Sequence, residues 1–345
     1  IVFRQLYLVR LIKLIAGCSM TPVVSVIIPV RDGERTLARA INSALAQTYA
    51  ASFEIVVVND GSADGTAKIL ESFGDRIRIV NHASPSGVSN ATNAGVKASR
   101  GRYLAFLHAD DEWMPEKLAH VISRIETEPQ TVLIYHDAEL VDLQGRVKLA
   151  SCHPHDHKPP TLEDILERGW PNGPMLVSAV VMRRETFDAV GGFDPALPSH
   201  EDLWMWLLAL EHGRCDFVPE VLARREFELD ARRAQWYLAG GRVFRSVVLK
   251  RYGRAVHVDF LGSLLVSVGL VAMARGDRKT ARACYLEALR SAPGALMNYV
   301  RLIWTFVPPR LARPISRLVS ANSARALTGP PRSGPFSAEI PETIQ

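Results

Sequence analysis

V-S-V-I-I-P-V, residues Val24 to Val30, is a short β-branched run without polar alternation. Such a run reads as a strand covered on both faces, which is how parallel sheets are built. It leads through Arg31-Asp32-Gly33-Glu34 into a helical pattern with Leu37, Ala40, Ile41, Ala44 and Leu45 on one face. The order then repeats. Phe53 to Val58 reads as a second apolar strand stopped by Asn59-Asp60-Gly61-Ser62, with Asp64 placed to cap the next helix. Ile77 to Val80 gives a third strand, and a Pro85-Ser86-Gly87 turn starts a helix from Val88 to Ala98. Tyr103 to Leu107 is a fourth strand that runs straight into His108-Ala109-Asp110-Asp111. Strands separated by helices predict an α/β fold, a mainly parallel sheet flanked by helices. Ligands of such sheets bind beyond the carboxyl ends of the strands, and two of those ends carry Asp60 and Asp110.

Glu116 to Ile125 reads as a helix, Val132 to Tyr135 and Met175 to Met182 as strands, and Glu201 to His212 as a helix closed by Gly213. His153, His155 and His157 alternate between prolines, a surface loop whose composition only hints at metal ligation. Beyond about residue 228 the pattern turns helical. There Gly276-Asp277, Ala281, Tyr285, Ala288-Leu289 and Pro293 fall at the spacing of the second half of a tetratricopeptide unit, and equally suit an ordinary helical hairpin. The expected organisation is an N-terminal extension over 1–20 and a catalytic domain over 21–228. A helical C-terminal extension over 229–327, open to a protein partner, and a Pro-, Ser- and Gly-rich disordered tail over 328–345 follow.

The chain has 345 residues, more than one average domain. Its 41 Lys and Arg exceed its 36 Asp and Glu, with the excess near the two ends. No aromatic-interleaved basic stripe accompanies that excess, so nucleic acid is excluded and weak attraction to an anionic membrane face or acceptor remains. Cys18, Cys152, Cys215 and Cys284 stand far apart, which argues against a zinc knuckle and a disulfide framework and for a reducing cytosol. Phe260 to Ala274, the longest nearly apolar run, falls short of the roughly 20 residues of a bilayer span and reads as a buried helix. Residues 1 to 16, apolar with Arg4, Arg10 and Lys13, read as upstream sequence foreign to the native protein or as a helix on a membrane surface. No small-residue cleavage pattern follows them, against a secretory signal. The expected location is the cytoplasm or the cytoplasmic face of a membrane.

Three acidic sites stand out. Asp110 and Asp111, in a loop at a strand end, are hard oxygen ligands suited to a divalent cation on a diphosphate, and suited also to capping the helix that follows. Asp60 can project above the sheet and accept a hydrogen bond from a nucleobase N–H, although Asn-Asp-Gly is also ordinary turn chemistry. In His200-Glu201-Asp202 two acids open a helix, as the helix dipole favours. They also suit acceptor chemistry: Asp202 as general base, Glu201 beside it, and Trp204 or Trp206 offering a face to a sugar ring.

V-S-V-I-I-P-V-R-D-G-E, I-V-V-V-N-D-G-S-A-D-G-T, G-V-S-N-A-T-N-A-G, F-L-H-A-D-D-E-W-M-P-E-K-L and G-G-F-D-P-A-L-P-S-H-E-D-L-W, in this order, resemble the family 2 inverting glycosyltransferases over about residues 22 to 225. The resemblance implies a GT-A fold, a nucleotide-diphosphate sugar donor, usually UDP-linked, a glycan or lipid-linked acceptor, and Mn²⁺ or Mg²⁺. It places Asp60 at the base, and Pro29, Val30, Asp32 and Glu34 along the nucleoside pocket with His108 and Ala109 at the donor. It places the metal on Asp110 and the catalytic base at Asp202. The chain departs from the family pattern at His108, where the first acid of an Asp-x-Asp triplet is usual, and at Thr92, where arginine is common. Imidazole is a softer ligand than carboxylate, so His108 bears on metal choice. Two rival readings are a polyprenyl-phosphate sugar synthase, whose anionic acceptor needs no base, and a non-catalytic scaffold acting through its C-terminal helices.

Overall fold

The computed structural model describes residues 22–141, 147–149, 158–168, 175–226, 231–253, 265–266, 269, 272–273, 277–291 and 296–306. The N-terminal extension, His153 to His157, Gly276, Pro293 and the tail lie outside these residues. The first half alternates as the hydrophobic pattern demands: β1 (Val24–Val30), α1 (Leu37–Leu45), β2 (Phe53–Asp60), α2 (Thr66–Phe73), β3 (Arg78–His82), α3 (Val88–Ala98) and β4 (Tyr103–Phe106). β5 (Asp111–Trp113), α4 (Lys117–Thr127), β6 (Thr131–Val141), β7 (Val147–Leu149) and α5 (Leu162–Arg168) come next. Then follow β8 (Val180–Arg183), α6 (Arg184–Val190), α7 (Glu201–Leu210) and β9 (Arg214–Glu226), and three helices, α8 (Ala231–Tyr252), α9 (Arg278–Ser291) and α10 (Leu296–Trp304).

Among the described residues the strands form one sheet in the order β3-β2-β1-β4-β8-β6-β9-β5, with β7 on β6. β3, β2, β1 and β4 are mutually parallel, whereas β8 runs antiparallel between β4 and β6. Side chains alternate across a strand, so each apolar run serves two cores at once. Val26, Ile28, Ile55 and Val57 bury against Leu37 and Ile41 of α1, Leu70 of α2, and Leu118 and Ile122 of α4. Ile27, Val56, Leu104 and Phe106 bury on the other face against Val96 of α3, Phe187 of α6 and Trp206 of α7. Each such fully buried side chain contributes about 1.5–3 kcal/mol, which is why these runs cannot slip register without losing both cores.

Three local expectations are corrected, and one strand, β9, had no expectation to meet. Met175 to Met182 is not one strand: Val177–Ala179 forms a 3₁₀ turn ahead of β8. The turn keeps Ser178 off the ladder, because its Oγ donates to Asp111 Oδ2 (2.5 Å) and its carbonyl accepts from Trp113 Nε1 (2.7 Å). Gly213 is not a left-handed helix cap; a Cβ there would lie 2.6 Å from the Gln130 carbonyl oxygen, so the residue is small because two backbones meet. β9 carries no apolar alternation that a sequence reader would notice, and it tolerates Pro219 because pairing with β6 skips from Val218 to Val221. Trp206 is fully buried, its Nε1 donating to the Met175 carbonyl, so it offers no face to a sugar.

Candidate active site

The carboxyl ends of β1, β2 and β4 are neighbours in the sheet, so the loops leaving them open on one edge. The first two loops are sewn together. Asp32 N donates to Ser62 Oγ, Ala63 N to Asp32 Oδ1 (2.8 Å), Gly33 N to Thr66 Oγ1, Glu34 N to Asp64 Oδ2 and Gly65 N to Glu34 Oε2 (3.2 Å). Asp32 and Glu34 therefore spend carboxylate oxygens on the neighbouring loop. Val30 is buried and Pro29 half-buried at the end of β1. Asp64 is the expected cap of α2; Gly65 is the N-cap, and Asp64 just before it accepts the Thr66 N–H (3.0 Å).

Asp60 lies at the end of β2, almost wholly buried. Its oxygens are engaged: Oδ1 accepts from Ser86 Oγ (2.6 Å) and contacts His82 Nδ1 (2.7 Å), and Oδ2 accepts from Gly87 N (2.9 Å), with Ser86 N shared between them. Burial pushes this carboxyl up, but the hydrogen bonds from Ser86, His82 and Gly87 outweigh it and hold the group below its ordinary value. The residue thus organises the turn before α3.

The loop after β4 closes on itself through Asp111 N donating to the His108 carbonyl (3.1 Å). From α1, Arg39 reaches the Asp110 carbonyl (3.2 Å) while pairing with Glu112 (2.9 Å) and Glu226 (3.0 Å). Below, the Ser178 hydroxyl accepts the His108 N–H and holds Asp111 Oδ2. Lys117 is fully buried beside this turn, its Nζ 3.3 Å from the Trp113 ring centroid, and burial drives its amine well below the ordinary lysine value. His108, Asp110 and Asp111 each place one ligand atom within 4.8 Å of the others. Asp111 Oδ1 is buried with no hydrogen-bond partner, and the Glu226 backbone N–H on β9 acts to hold this carboxyl down. Burial, then the charge of Asp110, push the Asp111 carboxyl up to about 7. An orphaned buried oxygen in a cluster of two carboxylates and an imidazole fits a divalent cation.

Asp202, half-buried at the start of α7, faces this loop: burial raises its carboxyl, while the charges of His108 and Arg225 act in the opposite direction. Arg225 stands directly across the β5–β9 ladder from Asp111 and also opposes the rise at that carboxyl. Sequence reading missed it, since an arginine in a strand with alternating charges has no local signature. Glu201 is buried, its Oε2 has no hydrogen-bond partner, and burial with the Asp202 charge pushes it up to about 8. Trp204, two residues on, points about 200° round the helix from Asp202 and meets Tyr252 of α8 edge-on (6.4 Å). It does not share the face of Asp202, which corrects its expected place at the acceptor.

The corner before α7 is held from two sides. Asn93 of α3 donates Nδ2 to the Phe193 carbonyl (2.8 Å) and accepts the Phe193 N–H (2.9 Å), and the Phe193 ring lies 5.4 Å from Phe106 and 6.1 Å from Trp206. His200 adopts a left-handed φ of 64°, Asp32 (φ 52°) being the other such non-glycine among the described residues. Both sit in the candidate site, where backbone strain tends to collect. Burial lowers the His200 imidazole to about 4; the ring stacks on Phe244 of α8 (5.7 Å), and Nδ1 bonds Ser199 Oγ (2.7 Å). Gly240 of α8 lets that helix touch the corner: a Cβ there would lie 1.7 Å from Ser199 Oγ and 2.8 Å from Ser199 N. Gly240→Ala is expected to part α8 from the corner and lower turnover at least about tenfold with donor affinity retained, since misplacement by about 1 Å can cost about 10²-fold. Steady-state kinetics beside a donor titration check this; wild-type turnover would show that α8 does not set the corner.

Comparison with known proteins bears on the family and the fold. Residues 25–191 match the model of glycosyl transferase family 2. An uncharacterized glycosyltransferase of Rickettsia felis is 34% identical over 213 residues, 60% of this chain and 34% of that protein. The chain thus spans about a third of the length of that relative. The Escherichia coli UDP-Glc:alpha-D-GlcNAc-diphosphoundecaprenol beta-1,3-glucosyltransferase WfgD is 40% identical over 101 residues, 29% of this chain and 40% of that protein. Among solved structures, the mannosyltransferase PcManGT from Pyrobaculum calidifontis, in complex with GDP-Man and Mn²⁺, superposes with a TM-score of 0.52 at 18% identity, covering 90% of this chain and 82% of that one.

Proposed function

The chain belongs to glycosyl transferase family 2 through residues 25–191 and has the GT-A fold, and on that premise we propose that it moves a sugar from a nucleotide-diphosphate donor, UDP-linked, to a hydroxyl of a glycan or lipid-linked saccharide. The observation that carries this reading is the meeting of His108, Asp110 and Asp111 with Asp202 across one cleft edge. A donor's diphosphate would lie at the first three and an acceptor hydroxyl at the fourth. The diphosphoundecaprenol-linked acceptor of the Escherichia coli relative supports a lipid-linked saccharide in surface-glycan synthesis.

In the proposed reaction Asp202 takes the proton of the acceptor hydroxyl as its oxygen bonds to the anomeric carbon. The bond from that carbon to the diphosphate breaks, and its electron pair leaves with the nucleoside diphosphate. One displacement inverts the anomeric centre. Asp110, with His108 and Asp111 in reach, would hold a divalent cation, Mn²⁺ or Mg²⁺, which would supply stabilisation for charge on the departing diphosphate. Arg225 adds a fixed positive charge beside Asp111 and Asp202. In this reading Asp60 serves the base by holding the Ser86–Gly87 turn, and Pro29, Val30, Asp32, Glu34 and Ala109 would contact the nucleoside and donor. A half-buried carboxyl whose proton affinity is raised favours a hydroxyl acceptor over a lipid phosphate, which carries no proton to remove.

The deciding experiment incubates the purified protein with a panel of nucleotide sugars and Mn²⁺ or Mg²⁺ and follows donor hydrolysis and transfer by mass spectrometry. Metal-dependent consumption of a UDP-sugar is expected. Neither binding nor hydrolysis of any donor would overturn the reading.

A further inference from the structure

The helices behind the sheet carry a surface that sugar transfer does not use. Residues 231–327 hold 17 of the chain's 41 Lys and Arg but three of its 36 Asp and Glu, so the remainder of the chain is net acidic. α9 and α10 pack antiparallel: Arg278, at the start of α9, donates to the Thr305 carbonyl just past α10 (3.4 Å), and the Arg282 guanidinium lies 4.7 Å from the Phe306 ring centroid. Inward, Ala281 and Tyr285 bury with Leu302 against them. Outward, Tyr299, Val300, Ile303 and Phe306 are 44%, 51%, 64% and 63% exposed. Tyr299, Val300 and Ile303 share one side of α10 with Phe306 two residues past its end, and Leu286 of α9, one turn on from Arg282, is 43% exposed. No helix among the described residues is long and apolar enough to cross a membrane.

An apolar row with two aromatic rings, rimmed by basic side chains, is the make-up of a helix that lies in a membrane interface. We propose that the α9–α10 hairpin docks the protein on an anionic lipid surface. Tyr299, Val300, Ile303 and Phe306 enter the boundary between headgroups and acyl chains, and Arg278, Lys279 and Arg282 face the lipid phosphates. Charge selects this occupant. A second copy, or the Arg-rich residues 307–327, would bring like charge against like, and a soluble polyanion would leave the apolar row in water. The inference uses none of the residues assigned to donor, metal or base, so it stands or falls apart from the sugar-transfer reading.

The test is co-sedimentation of the full chain with vesicles of phosphatidylcholine alone and with phosphatidylglycerol admixed. Binding to the anionic vesicles only, weakening as salt is raised, is expected. Ile303→Glu with Phe306→Glu, at side chains already exposed, should lower the bound fraction at least about tenfold while thermal unfolding stays unchanged. Equal binding by this variant, or no preference of the wild type for anionic vesicles, overturns the proposal. So does a wild-type dimer that the variant splits, or binding that appears only after residues 307–345 are removed, because either would name a different occupant of the face.

Discussion

Asp202→Asn is expected to fold and bind donor as the wild type does, yet to turn over at least about 100-fold more slowly, because an amide of the same shape cannot take the acceptor proton. Burial raises the Asp202 carboxyl, and His108 and Arg225 restrain that rise. The base works ionised, so turnover should increase as pH passes upward through this raised value and be lost below it. Arg225→Gln removes one of the restraining charges and should move the acid limb of the profile to higher pH, a displacement that loss of packing alone would not produce. Initial rates at saturating acceptor against pH, for the wild type and both variants, test the assignment. Near wild-type turnover in Asp202→Asn removes it.

Asp110→Ala should abolish metal-dependent donor binding and lower turnover at least about 100-fold, since stabilisation of a departing diphosphate is worth several kcal/mol and each 1.36 kcal/mol is about tenfold in rate. A pH effect follows from its neighbour. The Asp111 carboxyl is pushed up to about 7 by burial and by Asp110. Protons therefore compete with a cation at that group, and affinity for Mn²⁺ should rise as pH goes from about 6 to 8. Asp111→Asn keeps an oxygen for the Ser178 hydroxyl but carries no charge, and should bind metal more weakly with a flatter pH dependence. Calorimetric titrations of Mn²⁺ into the three proteins give the comparison. Pronounced pH dependence persisting in Asp111→Asn would place the titrating group elsewhere.

The parallel half of the sheet and the order of the site loops were legible in the sequence by itself. Apolar runs at β1, β2 and β4, the acids at two of their carboxyl ends, and the Asp64 turn ahead of α2 are local features whose periodicity and chemistry need no distant partner. The Asp110–Asp111 loop and the Glu201–Asp202 helix start were legible for the same reason. What those residues face was settled only by the tertiary structure. Arg225 meets Asp111 because β9 folds back on β5, Ser178 leaves its strand to support Asp111, and Trp206 goes into the core because Phe106 and Phe193 surround it. Asp60 fills its acceptor sites with a turn 26 residues away, and α8 presses Gly240 and Phe244 onto the corner that carries Asp202. Burial and opposing charge shift the carboxyls of this site, and both arise from residues that are distant along the chain, so composition and spacing could name the acids but not their protonation or their partners.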